Sequence, residues 1–166
     1  MLVIEPRVPV FELRELRGWG GIAPSSASVQ RIRDADELRA ALMRERLDGR
    51  GVIARGAGRA YGDAAQNGGG DVLDMTGLTH IRAIDAVART VTVEAGVTLG
   101  RLLATLAGCG LTLPVVPGTR FVTVGGAIRV RHPWQEPRSA RELRPPDREP
   151  HAVHAGWRAR RAHSRA

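Results

Sequence analysis

The sequence predicts an α+β fold. Short strand-like runs outnumber helical stretches by several to one and do not alternate with them, as a doubly wound parallel sheet would require. Hydrophobic residues make up 43% of the chain but aromatics only 4%. The core therefore has to be built from Val, Leu, Ile and Ala, which suits short strands and slim helices. Repeated glycine clusters separate these elements.

The helices read most clearly. In "RDADELRAALMRERLDG", Asp34 is placed to cap the N-terminus and Glu37 sits three residues on. Leu38, Ala41 and Leu42 then share one face, and Gly49 and Gly51 mark the exit. "GVIARG" is a strand leading into a glycine loop. "DVLDMT", "HIRAID" and "TVTVEAG" follow as strands. In the last, Val91, Val93 and Ala95 alternate with Thr92 and Glu94, the period of a half-buried strand. "TLGRLLATLAGCG" is the second helix, with Thr98 as cap and Leu99, Leu102, Leu103 and Leu106 at i, i+3, i+4 and i+7. Gly108 or Gly110 stops it. Cys109, following an apolar helix face, is expected to be a buried thiol; His80, between strands, is expected to be structural or exposed. "LTLPVVPGTRFVTVGGAI" then returns to extended structure, with turns at Pro114 and Pro117–Gly118.

Composition excludes several function classes. A single cysteine rules out an intrachain disulfide and a cysteine-based metal cluster. No run of about 18 apolar residues exists to cross a membrane, and the proline-broken N-terminus does not read as a secretory signal. The net charge of +8 would suggest an anionic partner. Its distribution says otherwise: residues 1–128 carry 15 Arg against 13 acids, residues 129–166 carry 10 Arg against 4. All 25 cationic side chains are arginine, as a GC-rich coding sequence would give.

"ARGAGRAYGDAAQNGGG", Ala54 to Gly70, follows a strand and holds Gly56, Gly58, Gly62 and Gly68 to Gly70. Glycine allows positive φ and close backbone approach, so successive N–H groups can converge on an anion. Arg55 and Arg59 can add charge. A mobile surface loop is the alternative. The dinucleotide fingerprint G-x-G-x-x-G fails, because Gly62 comes one residue late after Gly58, and a P-loop is excluded by the lack of Lys. A second cluster, "PGTRFVTVGGAI", offers Gly125 and Gly126 and the hydroxyls of Thr119 and Thr123; a turn and a bulge in a sheet would explain it equally.

Together, "GWG…AP" at Gly18 to Pro24, "RGAGRAYGDAAQNGGG", "LDMTGL", "VEAGVTLGRLL" and "PVVPGTRFVTVGGAI" resemble, in order and spacing, the FAD-binding domain of the vanillyl-alcohol-oxidase (p-cresol-methylhydroxylase, PCMH) type. Within it they are most similar to the decaprenylphosphoryl-ribose oxidase group of actinobacteria. The resemblance covers Arg17 to Ile128 and implies an N-terminal segment 1–16, a partial FAD-binding domain 17–128 (its first subdomain) and a tail 129–166. It implies that Ala54, Arg55, Gly56, Ala57, Gly58, Arg59, Ala60, Tyr61, Gly62, Asp63 and Ala64 wrap the FAD pyrophosphate. It further implies that Gly118 and Thr119 line the cofactor and that Thr123, Val124, Gly125 and Gly126 pass beside the flavin. Members of the family carry Ser where Ala60 stands here, so one hydroxyl contact is lost. The family oxidises a sugar or alcohol carbon by hydride transfer to flavin N5. Its electrons leave either to oxygen or to a reductase partner, and the resemblance implies a cytoplasmic protein with membrane association in the intact family. No catalytic residue and no metal ligand is assigned, and activity of this chain alone is not expected.

After "VGGAI" the family continues close to A-C-D-I-H-G-K-N-H, whereas this chain reads "RVRHPWQEP". One codon set for that stretch, CGC GTG CGA CAT CCA TGG CAA GAA CC, read one base later, spells Ala-Cys-Asp-Ile-His-Gly-Lys-Asn. Residues 129–166 are therefore expected to be an out-of-frame translation after a one-base insertion. Val130, Leu143 and Val153 are the only aliphatic residues there beyond Ala, and five prolines interrupt it, so disorder is expected. The alternative is a small basic nucleic-acid-binding protein using this arm, with Trp157, Arg160 and Arg161. The scattered acids and prolines argue against it, and no nucleic-acid partner is expected.

Overall fold

The computed structural model describes residues 9–21, 23–45, 49–114 and 116–130, and the backbone of 160–161. The chain divides into two compact units, Met1–Leu78 and Thr79–Ala166.

The first unit is a four-stranded mixed sheet. Its strands are β1 (Glu12–Leu16), β2 (Ser25–Arg31), β3 (Val52–Arg55) and β4 (Asp71–Asp74), in the order β1-β2-β4-β3. β1 runs antiparallel to β2, while β4 lies parallel between β2 and β3. The sheet thus takes in residues of the N-terminal segment ahead of Arg17. Helix α1 (Ala35–Met43) connects β2 to β3. One cluster of the unit joins Ile32, Ala41 and Leu73, with Leu38 and Val52 against it. Another joins Leu16, Ala27, Val29 and Val72, with Ile53 against it.

The cap of α1 follows the sequence. Asp34 Oδ1 accepts from Glu37 N at 2.8 Å, and Glu37 Oε2 accepts from Arg33 N at 2.8 Å. The rest of the helix needs two corrections. It ends at Met43, with Arg44 already extended, instead of running on to Gly49. Leu42 is 51% exposed, whereas Ala41 is fully buried. A helix this short persists only while it packs, and its packing face ends at Ala41.

In the second unit, β5 (Ile81–Asp85) and β6 (Thr90–Val93) form an antiparallel hairpin with an irregularity between Ile81 and Ala83. Asp85 Oδ1 accepts from Val87 N and Ala88 N to shape the turn, and Arg89 takes φ 55°. Helix α2 (Leu99–Ala107) is capped by Thr98 Oγ1, which accepts from Arg101 N at 3.3 Å. It buries Leu99, Leu102 and Leu106 against Val91, Val93, Val97, Leu111, Leu113 and Val124. β7 (Leu111–Thr112) pairs antiparallel with β8 (Arg160–Arg161).

Three further expectations are corrected here. "VGGAI" is not extended: it lies in helix α3 (Val124–Val130), whose start Thr123 stabilises by accepting from Gly126 N at 3.2 Å. Cys109 is exposed. α2 ends at Ala107, and Cys109 N instead closes a turn on Leu106 O at 2.9 Å, so the residue leaves the helix's apolar face. The disorder expected of 129–166 does not hold for Arg129 and Val130, which finish α3, or for Arg160–Arg161, which form β8; the rest of that expectation lies outside the described residues.

Candidate functional site

The glycine loop belongs wholly to the first unit. It leaves β3 at Arg55 and returns to β4 at Asp71. Arg55, at its start, ties it to its later part and to the chain just after β1: Nη1 donates to Ala65 O at 2.7 Å and Nη2 to Arg17 O at 2.6 Å. Burial lowers the proton affinity of this guanidinium, partly offset by Asp74. The expected phosphate contact of Arg55 must therefore compete with a structural role. Gly58 takes φ +66°, and a Cβ there would collide with the Arg55 guanidinium.

A second device fixes the loop from outside. Trp19 N donates to Ala60 O at 2.7 Å. A Cβ on Gly18 or Gly20 would run into the carbonyls of Gly62 and Ala60 or of Tyr61, respectively, so the "GWG" turn needs glycine at both positions against the loop. Arg59 lies over the Trp19 ring, 4.9 Å from its centroid. The signal for this contact was present in the sequence as "GWG", but its target was invisible without the fold.

Within the loop, the carbonyls of Ala60 and Asp63 accept from Trp19 N and Gln66 N. The N–H groups of Gly58, Ala60, Tyr61, Gly62 and Ala64 find no acceptor among the described residues. Such a run of unpaired donors on a glycine-rich turn is an anion cradle, and it fits the pyrophosphate of FAD. Tyr61 is 75% exposed, so it is held out from the loop instead of being packed beneath it.

Beside the loop lies an open cleft of about 400 Å³, lined by Ala23, Ser25, Ile53, Asp63, Ala64, Gln66, Asn67 and Gly68. Gln66 is 2% exposed and accepts from Ser25 Oγ at 3.0 Å, and its Nε2 is buried with no hydrogen-bond partner among the described residues. Sequence reasoning missed this glutamine, because neither periodicity nor a motif singles it out.

The Pro117 to Val130 stretch belongs to the second unit. Leu99 N and Gly100 N donate to Val122 O and Arg120 O, each at 2.9 Å. Val124 N donates to Val97 O at 2.8 Å and Gly125 N to Ala95 O at 2.9 Å. Val124 and Thr123 are 1% exposed. The amides of Val124, Gly125 and Gly126 thus serve the fold, and Val124 is a core side chain. Gly125 is required by a close approach: a Cβ there would lie 3.1 Å from Ala95 Cβ. Gly118 is exposed, with no described residue within 4 Å of a built Cβ, and Thr119 Oγ1 accepts from Phe121 N at 3.3 Å. No group of three or more His, Cys, Asp or Glu able to hold a metal occurs among the described residues. No helix among them is long and apolar enough to cross a membrane.

The chain is 53% identical over 116 residues to decaprenylphosphoryl-beta-D-ribose oxidase of Mycolicibacterium smegmatis, covering 69% of this chain and 25% of that protein. In fold it is similar to cholesterol oxidase from Brevibacterium sterolicum, with a TM-score of 0.62 and 19% identity over 77% of this chain and 25% of that one. It is also similar to the BBE-like 1 protein of Physcomitrella patens, with a TM-score of 0.58 and 20% identity over 70% of this chain and 28% of that one. The chain thus spans about a quarter of the length of these relatives. Residues 26–131, most of the described part and both glycine clusters, match the FAD binding domain family, and the chain belongs to that family.

Proposed function

We propose that this chain is the FAD-holding part of an oxidoreductase that oxidises a sugar or alcohol carbon, of the decaprenylphosphoryl-ribose oxidase kind. The reading rests on the 53% identity to that enzyme over a span that takes in most of the described residues. Bound FAD supplies a hydride acceptor at flavin N5. The chain's own residues hold and orient it. The amides of Gly58, Ala60, Tyr61, Gly62 and Ala64 bind the pyrophosphate, and Arg55 and the "GWG" turn hold the loop that carries them. A sugar or alcohol substrate and a reductase partner belong, in the same proposal, to the intact homologue, together with a cytoplasmic location and membrane association in the intact family. Purification of the chain tests it: flavin absorbance retained through gel filtration is the expected result, and a folded but colourless protein that takes up no added FAD overturns it.

Residues 129–166 are, in the same proposal, the out-of-frame continuation of this domain. The family match ends at residue 131, two codons from the inferred insertion. Resequencing the locus decides the matter: removal of one base restores the family's frame, whereas the same tail encoded in independent isolates overturns the idea.

A further inference from the structure

The strand β1 is the open edge of the first unit's sheet. Among the described residues only β2 pairs with it. The register shows which backbone groups lie on its outer side. Ser28 N donates to Gly70 O at 2.9 Å, so Ser28 turns its backbone groups toward β4. Leu13 lies opposite Ser28. Residues opposite each other in an antiparallel pair exchange both hydrogen bonds or neither. Leu13 therefore points its N–H and C=O away from β2, and the two-residue period puts those of Phe11 and Glu15 on the same edge. β1 holds no proline and no bulge, two of the devices that blunt an edge. Its side chains are unmet as well. Glu12, Leu13 and Arg14 are exposed, Leu13 by 79%. Neither Glu12 nor Arg14 forms an ion pair with another described residue.

The sequence of β1 is complementary to itself. A strand laid antiparallel on this edge must set odd-numbered residues of β1 against partners that also offer their backbone groups there. For a second β1, one register places Leu13 opposite Leu13. Glu12 then faces Arg14 of the second copy, and Arg14 faces its Glu12. These charged pairs fall at positions that do not exchange hydrogen bonds, where side chains approach more closely. A slip of two residues one way sets Glu12 against Glu12, and the other way Arg14 against Arg14. Opposite charges directly across a strand pair attract and like charges repel, so charge selects the first register. That register is also a closed two-fold contact, in which one patch serves both copies.

We propose that the chain self-associates by pairing β1 with β1 of a second copy, antiparallel about a two-fold axis at Leu13, so that the two sheets become one. Leu13 of each copy covers the other. The contact is a single short strand, so the dimer is a weak one that depends on concentration. It involves no residue of the glycine loop and does not depend on bound flavin.

Sedimentation velocity of the full chain over a hundredfold range of concentration is expected to show a monomer–dimer equilibrium. Glu12→Arg sets arginine against arginine, and Arg14→Glu sets glutamate against glutamate. Each variant by itself is expected to associate about tenfold more weakly or worse. An equimolar mixture of the two restores opposite charges at both positions and is expected to dimerise as the wild type does. Recovery on mixing is a result that general damage to the fold does not give. Should either single variant fail to fold, the charge-swapped double variant Glu12→Arg/Arg14→Glu is expected to dimerise like the wild type, and a monomeric double variant overturns the proposal. A wild-type chain that stays monomeric throughout, single variants that dimerise undiminished, or folded variants that stay monomeric when mixed also overturn it.

Discussion

At the scale of single residues, the site depends on conformations only glycine holds cheaply. Gly58 sits at φ +66° over Arg55, whereas Gly62 has nothing within 4 Å of a built Cβ. Left-handed backbone costs a non-glycine residue about 1–2 kcal/mol. Gly58→Ala is therefore expected to lower unfolding free energy by about that amount, and Gly62→Ala to stay within about 0.5 kcal/mol; chemical denaturation of the two variants checks the contrast. Glu94 offers a pH-dependent case. Partial burial raises its pKa, but hydrogen bonds from His80 N, His80 Nδ1 and Arg82 outweigh this, and the net shift is downward. A folded pKa below the unfolded value of about 4.3 means the stabilisation is complete above that value and fades as pH falls through the folded pKa. Glu94→Gln should thus cost about 1 kcal/mol at neutral pH and nothing at the acid end, as read from melting curves at several pH values. The caps were legible at this scale because Asp34 and Thr98 act within three residues of themselves. The roles of Gln66 and Arg55 were not, since their partners lie 41 and 38 residues away.

At the scale of elements, local pattern succeeded where one face decided the matter. α2 buries Leu99, Leu102 and Leu106, the spacing the sequence displays. Leu106 is 0% exposed, and Leu106→Ala is expected to cost about 2–5 kcal/mol as transfer and cavity terms add, measurable by denaturation. α3 shows the opposite. Two adjacent glycines lower helix propensity by about 1 kcal/mol each relative to alanine, so extended structure was the natural reading of "VGGAI". The helix forms because Thr123 caps it, Val124 enters the core, and the Ala95 and Val97 carbonyls accept its first amides. α1 fell between these cases: its cap was legible, but its length followed the packing that ends at Ala41.

At the scale of the molecule, a cofactor that binds only the folded chain must stabilise it. FAD at a hundredfold excess over its Kd is expected to add about 2.7 kcal/mol, seen as a rise in melting temperature that a variant with a disordered loop lacks. The α+β class, the two helix starts, the strand β6 and the order of glycine clusters were determined by the sequence by itself, because each depends on neighbours within a few residues. The insertion of β4 between β2 and β3 was decided only by the tertiary structure, as were the locking of the "GWG" turn on the glycine loop and the unmet amide of Gln66. These depend on which distant carbonyls and side chains meet, and a hydrogen bond leaves no trace in composition or period when its partners stand forty residues apart.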